Sequence, residues 1–259
     1  MSTAMKCQLV VLCGLLTGAA GGQLVQSEPN KASYARDPAN LPDAIAKVKS
    51  GDFSTGHVEM IAMAGAVQAI PILEVQYSRA NDSLNKGELA SALVRLGDKD
   101  NTYWDFLVEN ATSGLQTDAP PPLRRDSQPG PSQDFIDWAK AHNTTTDEAL
   151  SSLYNSALAL SFVAKSGDPR ALPLLRRGLS SPYFITQAFA VEGLARLQDK
   201  ESIPLIIDAC KKALPAGAAA IAKSLVYFDE PEAQRAVDTY IPKNMARLYR
   251  EARANGKTL

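Results

Sequence analysis

Ala171-Leu-Pro-Leu-Leu175 and Ser202-Ile-Pro-Leu-Ile206 carry one pattern: a small residue, an aliphatic, a proline, then two aliphatics. Their prolines, Pro173 and Pro204, are 31 residues apart. Ala69-Ile-Pro-Ile-Leu73, around Pro71, is a third copy. A second pattern alternates with the first. Ala92-Leu-Val-Arg-Leu-Gly-Asp-Lys99 matches Gly193-Leu-Ala-Arg-Leu-Gln-Asp-Lys200, and Ser224-Leu-Val-Tyr-Phe-Asp-Glu230 is a weaker copy. Met63-Ala-Gly-Ala66 and Ala164-Lys-Ser-Gly-Asp168 fill the same place. The turn aspartates Asp98, Asp168, Asp199 and Asp229 are spaced by 70, 31 and 30 residues. The 70 is one repeat plus an insertion of about 39 residues. Self-similarity at this period marks a stack of units, each too small to bury its own apolar face.

Helix physics accounts for the unit. Ser181-Pro182 reads as an N-cap followed by proline at the first helical position. Phe184, Ala188, Val191 and Ala195 then recur at helical spacing, with Ile185 and Leu194 widening the face. Arg196 suits the negative end of the helix dipole, and Asp199 reads as the next N-cap. Ile203, Ile206, Ile207, Cys210 and Leu214 form the stripe of the following helix, with Pro204 early in it, where a missing N–H is tolerated. Gly65, Gly97 and Gly167 fall in the turns, where a positive φ is expected. Each unit is a helix, a short turn and another helix. The recurrence of the aspartates every unit argues for capping and against a catalytic carboxylate pair, which would occur once.

These patterns resemble the HEAT-like repeat family in its short bacterial form, the PBS-lyase type. Gly167-Asp-Pro-Arg-Ala-Leu-Pro-Leu-Leu175 carries the resemblance best, and it extends over about residues 57–111 and 147–241. It implies an all-α fold: an α-solenoid of about five stacked hairpins, starting near residues 66, 98, 168, 199 and 229, with one Pro-rich insertion. The tetratricopeptide pattern is absent. Family geometry implies that the second helix of each hairpin lines a concave side, where Gln187, Glu192 and Arg196 are candidate partner-binding residues. Such a fold implies a scaffold and little about its partner.

Composition agrees with a folded helical chain. A hydrophobic fraction of 45% with 21% charged residues excludes disorder, and only 7% aromatics beside abundant Ala and Leu favours helix on helix. The formal net charge of −1 gives no general case for nucleic acid or an anionic membrane.

The segments outside the repeat are distinct. Lys6, the apolar run Gln8–Leu16 and the small residues Thr17–Gly22 read as a signal peptide over 1–22, with no stable membrane span, so the chain is expected to be exported, periplasmic or secreted. Met5 is an alternative start. Cys13 follows Leu12, a poor lipidation context. Residues 23–40 read as a flexible leader, and 41–259 as the solenoid, with Leu41–Lys49 and His57–Ala64 as helices capping its front. The insertion, about 112–146, contains Pro120, Pro121, Pro122, Pro129 and Pro131 from Thr112 to Ser132, which predicts an extended loop. A short amphipathic helix follows with Phe135, Trp138 and Ala139 on one side; it folds back on the stack or meets a partner. Thr145-Thr-Asp-Glu148 is a capping box. Lys243–Asn255 reads as a terminal helix with Met245, Leu248 and Tyr249 as its apolar side.

The search for chemistry is negative. His57 and His142 have no partner at metal spacing, and no cysteine pair, calcium loop, nucleophile elbow or phosphate loop occurs. Cys210 sits in an apolar stripe and reads as inert. No cofactor is expected. The leading expectation is a non-catalytic exported scaffold that binds another protein through its concave surface. The alternatives are an accessory enzyme or lyase-like ligand-handling protein, using His142 with Asp134 or Asp137, and a structural spacer in an envelope complex.

Overall fold

The computed structural model describes residues 37–53, 56–116 and 131–255. The expected signal peptide over 1–22, residues 23–36 of the leader, and Pro120, Pro121, Pro122 and Pro129 lie outside the described residues. Within them all regular structure is helical. The α-helices are α1 (Leu41–Lys49), α2 (His57–Met63), α3 (Ile70–Arg79), α4 (Ser83–Arg95), α5 (Asn101–Gln116), α6 (Gln133–Ala141), α7 (Thr146–Ser166), α8 (Leu172–Gly178), α9 (Phe184–Arg196), α10 (Ile203–Lys212), α11 (Pro215–Ala222), α12 (Pro231–Tyr240) and α13 (Lys243–Ala254). They pack in sequence as an α-solenoid. Hairpins α3–α4, α5–α7, α8–α9, α10–α11 and α12–α13 follow a front pair, α1–α2, and α6 sits inside the second hairpin.

The stack has two layers. The second helices α2, α4, α7, α9 and α11 pack side by side as an inner row, and the first helices back onto them. One apolar core runs the whole length, from Ala44 and Val48 through Leu93, Leu160, Leu194 and Ile206 to Val237 and Ala246. Close approach within the inner row depends on small residues. A Cβ on Gly193 of α9 would lie 2.8 Å from Ala164 Cβ and 2.7 Å from Leu175 Cδ1, so α7 and α8 leave no room for one.

The repeated proline has one structural meaning. Pro71, Pro173 and Pro204 are each the second residue of α3, α8 and α10, behind a 3-10 turn at Val67–Ala69, Pro169–Ala171 or Lys200–Ser202. Their missing N–H falls where a helix has no internal partner for it. Gly65, Gly97 and Gly167 have φ of 62, 83 and 66°, and Gln198 takes the corresponding place of Gly97 at φ 53°.

Several boundaries and faces differ from the sequence reading. α9 begins at Phe184, not after Ser181, because the Ser181 hydroxyl accepts from the Tyr183 N–H (3.2 Å) and closes a turn one step earlier. Its buried residues include Thr186 and Ala190 beside Val191, Leu194 and Ala195, while Phe184, Ile185 and Ala188 are half-buried. Contact with α7 on one flank, α11 on the other and α8 behind widens the buried face. Leu214 lies beyond α10 and is half exposed. Ala246, not Leu248, is the buried residue of α13. α5 runs on to Gln116, past Thr112, where the loop was expected. Residues 38–40 of the leader form a 3-10 turn capped by the Asp37 carboxylate.

Candidate functional site

The inner row carries a seam of charges. Glu59 of α2 lies 3.2 Å from Lys165 Nζ of α7 and 3.8 Å from Arg95 Nη1 of α4, and Glu192 and Arg196 of α9 pair at 3.5 Å. Glu88 of α4 joins them with its Oε1 buried and unpaired. Burial pushes the Glu59 carboxyl up, but Lys165, hydrogen-bonded to it, and Arg95 and Arg196 outweigh burial and hold it below its ordinary value. Burial and the neighbouring Glu59 charge raise the Glu88 carboxyl against the opposing pull of Lys165. Burial alone would lower Lys165, yet Glu59, Glu88 and Glu192 keep it above its ordinary value. Charges drawn from four successive inner helices therefore neutralise one another along the row.

The expected partner-binding residues are placed as follows. Glu192 and Arg196 belong to this seam. Gln187 donates through Nε2 to the Leu179 carbonyl at 3.1 Å and ties α9 to the end of α8. Phe135 is fully buried, packed with Ala139 and Ala149 and against Trp138, Leu150 and Leu153 in a small second core between α6 and α7. Burying a phenyl ring is strongly favourable, so the short helix folds back. Trp138 is half-buried and stacks on His142 with ring centroids 4.2 Å apart.

The four turn aspartates share a place but not a role. Asp168 caps the turn before α8 by accepting from the Arg170 N–H at 2.8 Å, and Asp98 accepts from the Asp100 N–H at 2.9 Å. Asp199 makes no cap. It is held by Arg176 through Nε (2.8 Å) and Nη2 (2.6 Å), with Ser202 hydrogen-bonded to the same carboxylate. Arg176 and then Ser202 hold its carboxyl below the usual range against burial. Asp229 pairs with Arg253 Nη2 at 2.6 Å. Towards the C-terminal end of the stack the aspartate links units, a use that needs a cation 23 or 24 residues away and so leaves no local sequence signal.

The two longest described helices, α5 and α7, line a recess together with α4. A cleft of about 600 Å³ lies between α4, α5 and α7. Leu84, Phe106, Leu107, Ala159 and Phe162 supply its apolar lining, and Ser83, Asn110, Ser151, Ser152, Asn155 and Ser156 its polar lining. Gly87 lies against the Phe162 ring, and Gly114 against Ser156. Asp147 and Glu148, in the first turn of α7, close one end. The cause is a mismatch of length. α7 has 21 residues and α4 has 13, so α7 exceeds α4 by about two turns.

The reactive side chains are otherwise engaged. His142 Nδ1 sits 2.8 Å from the Trp138 carbonyl at the end of α6, and His57 Nδ1 is 3.4 Å from the Asp52 carbonyl. Asp137 accepts from Gln133, 2.8 Å away. Cys210 is buried, its Sγ 3.7 Å from the Ala218 carbonyl, and burial pushes the thiol up to about 12. Burial in this way disfavours the reactive thiolate. Among the described residues no cluster of His, Cys, Asp and Glu could hold a metal ion, and no helix is long and apolar enough to cross a membrane.

Paired helices, proline-marked first helices and a continuous inner row define a helical-repeat protein of the α-solenoid class. The model of the PBS lyase HEAT-like repeat matches residues 186–212, from Thr186 of α9 to the end of α10, which supports a HEAT-like repeat family for the chain. No curated protein and no solved structure matches it.

Proposed function

We propose that the protein is an exported, non-catalytic scaffold that holds another protein against the inner row of helices, the concave side by family geometry. The observation that carries this reading is the continuity of that row. α2, α4, α7, α9 and α11 touch one after another and present one extended surface, which favours contacts spread over several units rather than a reaction at one point. The half-buried Glu192 and Arg196 lie within it on α9. Engagement of His57, His142 and Cys210 in local structure fits a non-catalytic role.

The test exchanges the pair. In Glu192→Arg/Arg196→Glu the ion pair within α9 can re-form while the charge pattern offered to a partner is reversed. Photo-crosslinking from the native envelope or secreted fraction should give a specific adduct with the wild type and lose it with the swapped variant, whose helical content by circular dichroism stays that of the wild type. Equal adduct yields from both proteins, or none from the wild type, would refute the reading.

A further inference from the structure

We propose that the cleft between α4, α5 and α7 is the seat of a short, extended, basic segment of the protein partner; this rests on the scaffold reading and adds the chemistry of what is held. The cleft of about 600 Å³ has a size suited to a specific ligand rather than to packing slack. From Asp147 to Phe162 it follows about 22 Å of α7, the length of about six or seven extended residues.

Beside serine hydroxyls, which can donate or accept, the cleft offers an acceptor that has no donor. Asn155 Oδ1 is buried with no hydrogen-bond partner, a state that a donor from a ligand would relieve. Asn110 donates its Nδ2–H to the Phe106 carbonyl at 2.8 Å and keeps its oxygen for accepting. At the end of the cleft stand the Asp147 and Glu148 carboxylates. Glu148 is held ionised by the Thr145 N–H and hydroxyl and the Thr144 hydroxyl, all bonding to its Oε2. Among the described residues no lysine or arginine lines the cleft. An extended peptide supplies N–H donors along its length, an apolar side chain matches Phe106 and Phe162, and an Arg or Lys at one end matches the carboxylates.

The probes are two pools of fluorescent, end-blocked hexapeptides of Ala, Ser, Leu and Asn, one with Arg at a terminal position and one with Glu. Anisotropy titration of the full chain should show the Arg pool binding about tenfold more tightly than the Glu pool, with the difference shrinking as salt is raised. Asp147→Lys should erase the preference. Ser152→Trp, at an exposed position on the rim, should weaken the Arg pool by tenfold or more. Equal binding of the pools, no binding to the wild type, or a Ser152→Trp variant that binds normally overturns the proposal. So does binding that emerges only in Arg124→Glu/Arg125→Glu, which would make the chain's own insertion the occupant. A partner crosslinked through Glu192 and Arg196 while both pools fail leaves the scaffold reading standing and removes only the cleft.

Discussion

The hairpin α8–α9 and the hairpin α5–α7 occupy neighbouring places in one stack, yet one is joined by residues 179–183 and the other by 117–145. In the first, the short connection keeps α8 and α9 within the height of the stack, and Gly178 and Gly193 admit close neighbours. In the second, the insertion separates helices of 16 and 21 residues that overrun α4 and enclose a cleft. The insertion adds its own small core around Phe135 without interrupting the main one. Across the gap, the Arg170 guanidinium still lies 4.5 Å over the Trp104 ring, so α5 and the turn before α8 stay clasped. A solenoid can thus absorb extra chain by lengthening one unit. The neighbours keep their contacts, and new surface is created at the step.

The sharpest way to break this comparison is to damage each core in turn. Leu194→Ala removes a fully buried side chain from the main core and should lower global stability by about 3 kcal/mol in urea denaturation. Phe135→Ala removes a larger buried ring. It should nevertheless move the global midpoint by less than about 1 kcal/mol, because the second core holds α6 alone. Its effect should appear in hydrogen exchange, as lost protection over residues 133–141 with α9 unchanged. A large global loss from Phe135→Ala would mean that the insertion supports the stack.

A smaller effect tests the turns. Gly97→Gln copies the residue that the later unit uses at Gln198, but Gln198 at φ 53° is supported by its own bond to the Ala195 carbonyl at 2.8 Å. At Gly97, with φ 83° and open space around a Cβ, the strain should cost about 1 kcal/mol, read from thermal melting. The smallest effect concerns pH. Glu88 is raised by burial, so its favourable contribution is present below the unfolded carboxylate value and is lost as pH rises through its folded one. Glu88→Gln should therefore match the wild type near pH 4 and be slightly more stable near pH 7. Asp199 has the opposite sign: its carboxyl is lowered mainly by Arg176, so its contribution holds at neutral pH and fades as pH falls through the folded value. Asp199→Asn should be less stable at neutral pH and converge with the wild type in acid.

Local rules made the unit legible. Pro71, Pro173 and Pro204 stand where helices start, and the Leu-Gly-Asp and Leu-Gln-Asp phrases stand where they turn. These signals lie within one turn of the residues they govern. The charge seam was not legible, because Glu59 and Lys165 are more than a hundred positions apart and meet only when inner helices stack. Asp199 looked like Asp168 until Arg176 was placed beside it. The cleft left no motif, since it arises from the difference between two helix lengths. The insertion was legible as an anomaly, and Phe135 and Trp138 as its apolar side, but which surface they met was settled by packing on Leu150 and Leu153.

Cys210 gives the stack a clock. Its thiol is shielded between α10 and α11, where labelling needs α10 to lift away. The rate at which an alkylating reagent consumes that sulfur therefore counts opening events in this unit, independently of α6 at the other end of the inserted hairpin.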